Sequence, residues 1–270
     1  MLNSKFSFFF LFFSFFLLKS NVFHNFYHKK INYDKKNIFF GSNETLQYKL
    51  SYGKKNRERG LLSAGLANFH SFSYLDKNDK VMLSMAVKGY TNKIFSLFFN
   101  VYHSYNSTLE IDSMRSVEFD MHVEQGKYSN GDTVIFNRKG RTIINTRDTL
   151  DNPNFATDIL STCYYLRSIP HEKIFQMDTV FFDYYYNNSI YNSYVLNFGL
   201  DTINTKFGRV KAIKLSPLLE IGRFFKKKSG AVLWVTADDN HIPLRLEIPI
   251  LKGSVYVSLK SYDGRLLNFF

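Results

Sequence analysis

The chain has 270 residues, 45% of them hydrophobic, and a formal net charge of +12; that is enough for one large β domain or two small domains with a sizeable core. Cys163 is the only cysteine, which excludes intrachain disulfides, zinc–thiolate sites and a lipid anchor on an N-terminal cysteine. No nucleic-acid motif accompanies the basic charge, so it is read as general surface charge and nucleic acid is set aside as a partner. The composition also carries 29 Phe and 18 Tyr against 1 Trp; AT-rich codons favour Phe, Tyr, Lys, Asn and Ile together, which weakens any aromatic cluster or Lys run as a sign of a binding site.

In chain order, Met1 to Lys5 is a short n-region with one Lys, and Phe6 to Leu18 is apolar apart from Ser7 and Ser14. As a helix that run rises roughly 20 Å, short of a ~30 Å hydrocarbon core. Residues 1–20 therefore read as a secretory signal peptide. No small-x-small cleavage site follows Leu18, so an uncleaved N-terminal anchor, or cleavage near Ser20, is the alternative. Residues 21–43 are polar, basic and aromatic, and read as a linker or arm. Residues 1–40 carry a net +5, leaving +7 for the rest.

From residue 44 to 270 the pattern predicts a single β-rich domain. Leu46, Tyr48, Leu50 and Tyr52 alternate with polar residues and stop at Gly53. Strands are predicted over 61–75 and 81–90, with a turn at Asn78-Asp79. Residues 94–101 are apolar and ambiguous between a short helix and a buried strand. Further strands are predicted at 108–111, 117–124, 127–137 and 142–146, with Asn130-Gly131 and Lys139-Gly140 as turn signals.

Residues 155–167 interrupt the strands. Phe155, Ile159, Cys163 and Leu166 recur at near-helical spacing and give one apolar face. Asn154 can act as N-cap, Asp158 suits the positive end of the helix dipole, and Pro170 prevents extension. A lone amphipathic helix has to bury its face against a sheet. Strands resume at 180–186, 191–198, 201–205 and 209–215, then at 231–236, 244–251 and 255–260. Many short strands at hairpin spacing predict a mainly β fold, a curved antiparallel sheet or partly open β-barrel with one packed helix.

The run Ala156-Thr157-Asp158-Ile159-Leu160-Ser161-Thr162-Cys163-Tyr164-Tyr165-Leu166-Arg167 resembles the hallmark segment of domain-of-unknown-function family 3108. So does Trp234-Val235-Thr236-Ala237-Asp238-Asp239-Asn240-His241-Ile242-Pro243, continuing through Glu247 to Gly253-Ser254-Val255. Leu46 to Gly53, Ala64-Gly65, Gly208 and Lys214 to Pro217 resemble the family's opening and middle. The resemblance covers roughly residues 44–262. It implies an exported bacterial envelope protein, and a sheet curled around a helix-plugged hollow similar to periplasmic lipoprotein-carrier folds. It implies no activity, and the likeness to carriers is an analogy of fold alone.

The candidate residues each have a plain alternative. Arg167, flanked by Tyr164 and Tyr165, suits a ligand carboxylate or phosphate; a helix-end Arg also caps carbonyls or bridges to a sheet carboxylate. Trp234 joins this candidate ligand-binding set. Phe224-Phe225-Lys226-Lys227-Lys228 has the chemistry of a loop dipping into an anionic membrane surface, and equally of a solvated hairpin tip. Asp238, Asp239 and His241 form the densest polar cluster, yet match no calcium loop or zincin helix and have the composition of a turn. Cys163 is expected to be a buried small hydrophobe. No catalytic motif, metal-ligand spacing or cofactor loop appears. The sequence thus points to a non-enzymatic, exported binding or carrier protein for a hydrophobic, lipid-like envelope component. A structural envelope protein that contacts a partner or peptidoglycan is the second reading, and an envelope-polymer hydrolase the third.

Overall fold

Strand β1 (Asn43–Gly53) sets the pattern: Glu44, Leu46, Tyr48 and Leu50 are buried, while Thr45 and Lys49 on the other face are exposed. Side chains of a strand alternate between faces, so one row is committed to the interior. The computed structural model describes residues 43–54, 60–98, 100–218, 230–250 and 253–264. The expected leader, the expected arm up to residue 42, and the run Phe224 to Lys228 lie outside the described residues.

After β1 come β2 (Leu62–Leu75), β3 (Val81–Thr91), the short helix α1 (Lys93–Ser96), β4 (Val101–Glu110), β5 (Arg115–Gln125) and β6 (Tyr128–Asn137). Then come β7 (Thr142–Ile144), β8 (Thr149–Asp151), β9 (Thr157–Asp158), the main helix α2 (Ile159–Arg167) and α3 (His171–Ile174). The chain closes with β10 (Thr179–Tyr186), β11 (Ser189–Thr205), β12 (Gly208–Pro217), β13 (Val232–Thr236), β14 (Pro243–Pro249) and β15 (Ser254–Asp263). Among the described residues these strands form one 15-stranded sheet in the order β8-β7-β6-β5-β4-β3-β2-β1-β15-β14-β13-β12-β11-β10-β9. The curved, mainly β architecture agrees with the sequence pattern. Neighbours pair antiparallel except β9 with β10.

Three local expectations need correction and one ambiguity is resolved. The helix begins at Ile159 with Asp158 as its cap, not at Phe155 with Asn154 as cap; Phe155 has φ +57 and stays outside it. Asn130-Gly131 lies within β6, paired with Val123 and His122, and the turn falls at Gly126-Lys127. The ambiguous stretch at 94–101 divides into α1 and the start of β4, and the strands expected at 191–198 and 201–205 are the single long β11.

The curled sheet has two distinct ends. At the entry end, where β1 begins, lie the β2–β3 turn, the β4–β5 turn and the β13–β14 turn. At the exit end, where β1 finishes, lie the start of β2, helix α1, the β5–β6 turn and the strand ends that flank the β12–β13 connection. The two edges of the sheet approach each other without a hydrogen-bonded ladder. Side chains join them: Asn130 Nδ2 donates to Asn187 Oδ1 at 3.0 Å, Asn145 Nδ2 to Asn188 Oδ1 at 2.7 Å, and the Tyr185 hydroxyl to Asp132 Oδ2 at 3.0 Å.

The interior divides into several apolar clusters rather than one. Under β3–β6 and β10 the space is filled by Tyr105, Phe119, Tyr184, Tyr185 and Tyr186. A second cluster includes Leu46, Tyr48 and Leu50 of β1, and a third packs Ile169 and Ile174 against Val195, Ile213, Leu215 and Val235. A single contiguous core is the usual outcome for a domain.

Candidate functional site

Helix α2 is fastened at both ends to side chains far away in sequence. At its start, Asp158 Oδ1 accepts the amides of Leu160 (2.9 Å) and Ser161 (3.0 Å), the ordinary N-cap arrangement. Oδ2 accepts the hydroxyls of Ser107 on β4 (2.8 Å) and Ser116 on β5 (2.6 Å), and Ser116 Oγ in turn accepts the Asp158 amide. Burial raises the Asp158 carboxyl above its ordinary value, and the hydrogen bonds from Ser116, Ser161 and Ser107 offset part of that rise.

At its other end, Arg167 forms a two-pronged pair with Glu44 of β1: Nη1 to Oε1 at 2.8 Å and Nη2 to Oε2 at 2.7 Å. Nε donates to the carbonyl of Asn240 in the β13–β14 turn at 3.2 Å, and the Tyr164 hydroxyl reaches Glu44 Oε1 at 3.4 Å. Only 7% of Arg167 and 4% of Glu44 is exposed, so neither charge is shared with bulk water. Burial acts to lower the guanidinium's pKa; the Glu44 carboxylate outweighs it and holds it above the ordinary value. The helix thus spans the entry end from β4 and β5 to β1 and the β13–β14 turn.

Between these anchors the helix buries Leu160, Tyr164 and Arg167, and the stripe expected to pack does so only in part, Ile159 against the first cluster and Leu166 against the third. Ile159 and Leu166 are half-buried and Cys163 is exposed. The expectation of a buried Cys163 is therefore corrected. Burial by the surrounding protein nevertheless pushes its thiol up to about 11. Partly buried apolar residues edge the separate clusters as well: Phe69 adjoins the first and second, Phe182 the first and third, and Leu233 and Leu166 the third.

The expected ligand set is only partly brought together. Arg167 and Tyr164 meet, with the guanidinium carbon 5.0 Å from the Tyr164 ring centroid. Tyr165 is half-buried against the first cluster. Trp234 has other neighbours: its indole N–H donates to Asp201 at 2.8 Å and Arg245 lies over its ring at 4.3 Å. The tentative polar cluster forms a turn. Asp238 Oδ1 accepts from the Thr236 hydroxyl (2.6 Å) and the Asn240 amide (3.0 Å), while Asp239 is exposed. His241, at φ +43, donates from Nδ1 to the Arg167 carbonyl at 3.1 Å, and its ring stacks on His171 at 5.7 Å. Burial lowers the pKa of His241, which favours the neutral ring.

Residues that the linear pattern does not reveal include Glu44, Tyr48, Ser107 and Ser116. All are ordinary strand residues in the linear chain, and only register brings them to α2. Tyr48 donates to the Pro243 carbonyl at 3.0 Å, and burial raises its pKa well above that of a free phenol, as it does for Tyr164. The site thus holds neutral phenols, a neutral thiol and one compensated ion pair. No group of three or more His, Cys, Asp and Glu side chains able to hold a metal occurs among the described residues. On the outer face, Ser104, Asn106, Asp120, His122, Gly131 and Thr133 line an open polar concavity of about 320 Å³.

The family model for proteins of unknown function DUF3108 matches residues 47–260. No curated protein matches the chain. In structure the chain is similar to a crystallised beta-barrel-like protein of domain of unknown function DUF1849 from Brucella abortus, at a TM-score of 0.52 and 8% identity over 84% of this chain and 99% of that one. That likeness concerns the fold alone.

Proposed function

This chain belongs to the DUF3108 family of proteins of unknown function, and from that premise we propose that it is an exported, non-catalytic binding protein that holds a hydrophobic, lipid-like component of the cell envelope. The observation that carries the reading is the incompletely buried apolar stripe Ile159–Cys163–Leu166, with Cys163 exposed, on a helix packed against a curled sheet. A half-packed apolar face forgoes dispersion contacts that an acyl chain would supply. The polar anchors at Asp158 and Arg167 hold the helix while leaving Cys163 at the middle of that stripe exposed. Export rests on the leader expected at residues 1–20. Phe224 to Lys228 is proposed as an accessory contact with an anionic membrane surface.

A structural role in the envelope is the second reading, favoured by the dense filling of one part of the interior with Tyr105, Phe119, Tyr184, Tyr185 and Tyr186. Mass spectrometry of organic extracts from the protein purified out of a bacterial periplasm separates the two. A stoichiometric lipid is the expected result. Ligand-free protein whose Cys163 is alkylated at the same rate with and without added fatty acid would exclude the carrier reading.

A further inference from the structure

We propose that the exit-end tip formed by α1 and the start of β2 docks on the surface of an anionic lipid bilayer. Four large apolar side chains stand out there: Leu61 is 66% exposed, Leu62 56%, Ile94 70% and Leu97 83%. The arrangement is built, not frayed. Asn92 caps α1 by accepting the Phe95 amide at 2.9 Å, and it ties the helix to β2 through Asn92 N to the Ala64 carbonyl (2.8 Å) and Nδ2 to the Ser63 carbonyl (2.7 Å). Those bonds hold α1 at the start of β2 with Phe95 packed on the interior cluster, while Ile94 and Leu97, like Leu61 and Leu62, are exposed. A single exposed leucine is commonplace; a group on one pinned tip is not.

The charge around the tip selects the occupant. Lys54, Lys93 and Lys127 are all exposed. Lys54 is placed by its carbonyl, which accepts the Tyr256 hydroxyl at 2.6 Å, and Lys127 follows Gly126, whose amide donates to the Asn100 carbonyl at 2.9 Å. Glu124, on the adjoining end of β5, is engaged by His122 at 2.9 Å. Apolar side chains ringed by ammonium groups suit the boundary between acyl chains and anionic headgroups, where the stems of Lys snorkel. A second copy of the chain, docked tip to tip, would bring the same ammonium groups against one another. This surface is independent of the interior stripe, and either can fail without the other.

The test uses the full chain carrying Cys163→Ser and Leu97→Cys, with an environment-sensitive dye on position 97. A second protein carries the dye at the entry end through Asp79→Cys. Each is mixed with vesicles of phosphatidylcholine alone or doped with phosphatidylglycerol. The expected result is a blue shift and quenching by brominated acyl chains at position 97 only, with the doped vesicles only, weakening as salt rises. Ile94→Asp should lower the bound fraction about tenfold. The local dye separates the tip from any binding by the apolar leader. No response at 97, equal responses at 97 and 79, or a vesicle-free shift that grows with protein concentration would each overturn the proposal, the last assigning the tip to self-association.

Discussion

Arg167→Met leaves the Glu44 carboxylate buried without its partner, and an uncompensated buried charge costs about 3–5 kcal/mol. Urea denaturation should show that loss, and Glu44→Leu added to Arg167→Met should recover most of it, because an apolar pair of similar volume removes the stranded charge. His103 supplies the pH counterpart. It is fully buried between Tyr105 and Gln125, and burial pushes its imidazole down to about 4. The unfolded chain takes up the proton first as pH falls. The stability from the neutral ring is thus complete above about pH 6.5 and is lost between there and about pH 4, at up to about 1.4 kcal/mol per pH unit. Urea midpoints measured across that interval should fall less steeply for His103→Gln than for the parent. At this scale the sequence disclosed half of the ion pair. Arg167 was recognisable as a helix-end guanidinium, but Glu44 lies 123 residues away and only the β1 register delivers it.

Asp158→Ala should cost about 2 kcal/mol or more, since it removes the Oδ1 that caps two helix amides and strands the hydroxyls of Ser107 and Ser116. Circular dichroism should show loss of helical signal at lower urea than for Asp158→Asn, which keeps one acceptor oxygen. The same element marks the limit of local reading. Asn154 and Asp158 both precede apolar residues at helical spacing, and propensity cannot choose between them. The choice is made by β4 and β5, whose serines complete Asp158, while Asn154 is drawn away to Asp183 at 3.3 Å and Phe155 is held under Arg115 at 3.7 Å. Likewise Asn130-Gly131 carries a hairpin signal, yet pairing with β5 continues through it and the reversal falls at Gly126, whose φ is +60. Alternation in β1 and the helical spacing at Ile159, Cys163 and Leu166 were legible because each is a periodicity within one element. Which way that stripe faces was not, because it depends on what the whole sheet encloses.

For the molecule as a whole, Cys163 is the natural probe of the interior. With its thiol pushed up to about 11, little thiolate exists at neutral pH, so alkylation of the folded protein should run far slower than in guanidinium despite the accessible surface. Maleimide labelling followed by intact mass reads this directly, and an acyl guest against the stripe should slow it further. The unladdered meeting of the sheet edges carries a different implication. In a closed barrel, strand number and stagger determine the bore. Here the seam, among the described residues, is crossed by side chains: the amides of Asn130, Asn145, Asn187 and Asn188, the phenol of Tyr185, and the hydroxyls of Ser107 and Ser116 that hold Asp158, so the molecule is a split ring and not a pipe. Its girth can change by the slip of a few clasps, with every strand ladder intact, and the size of the guest rather than the strand count would then decide how far it opens.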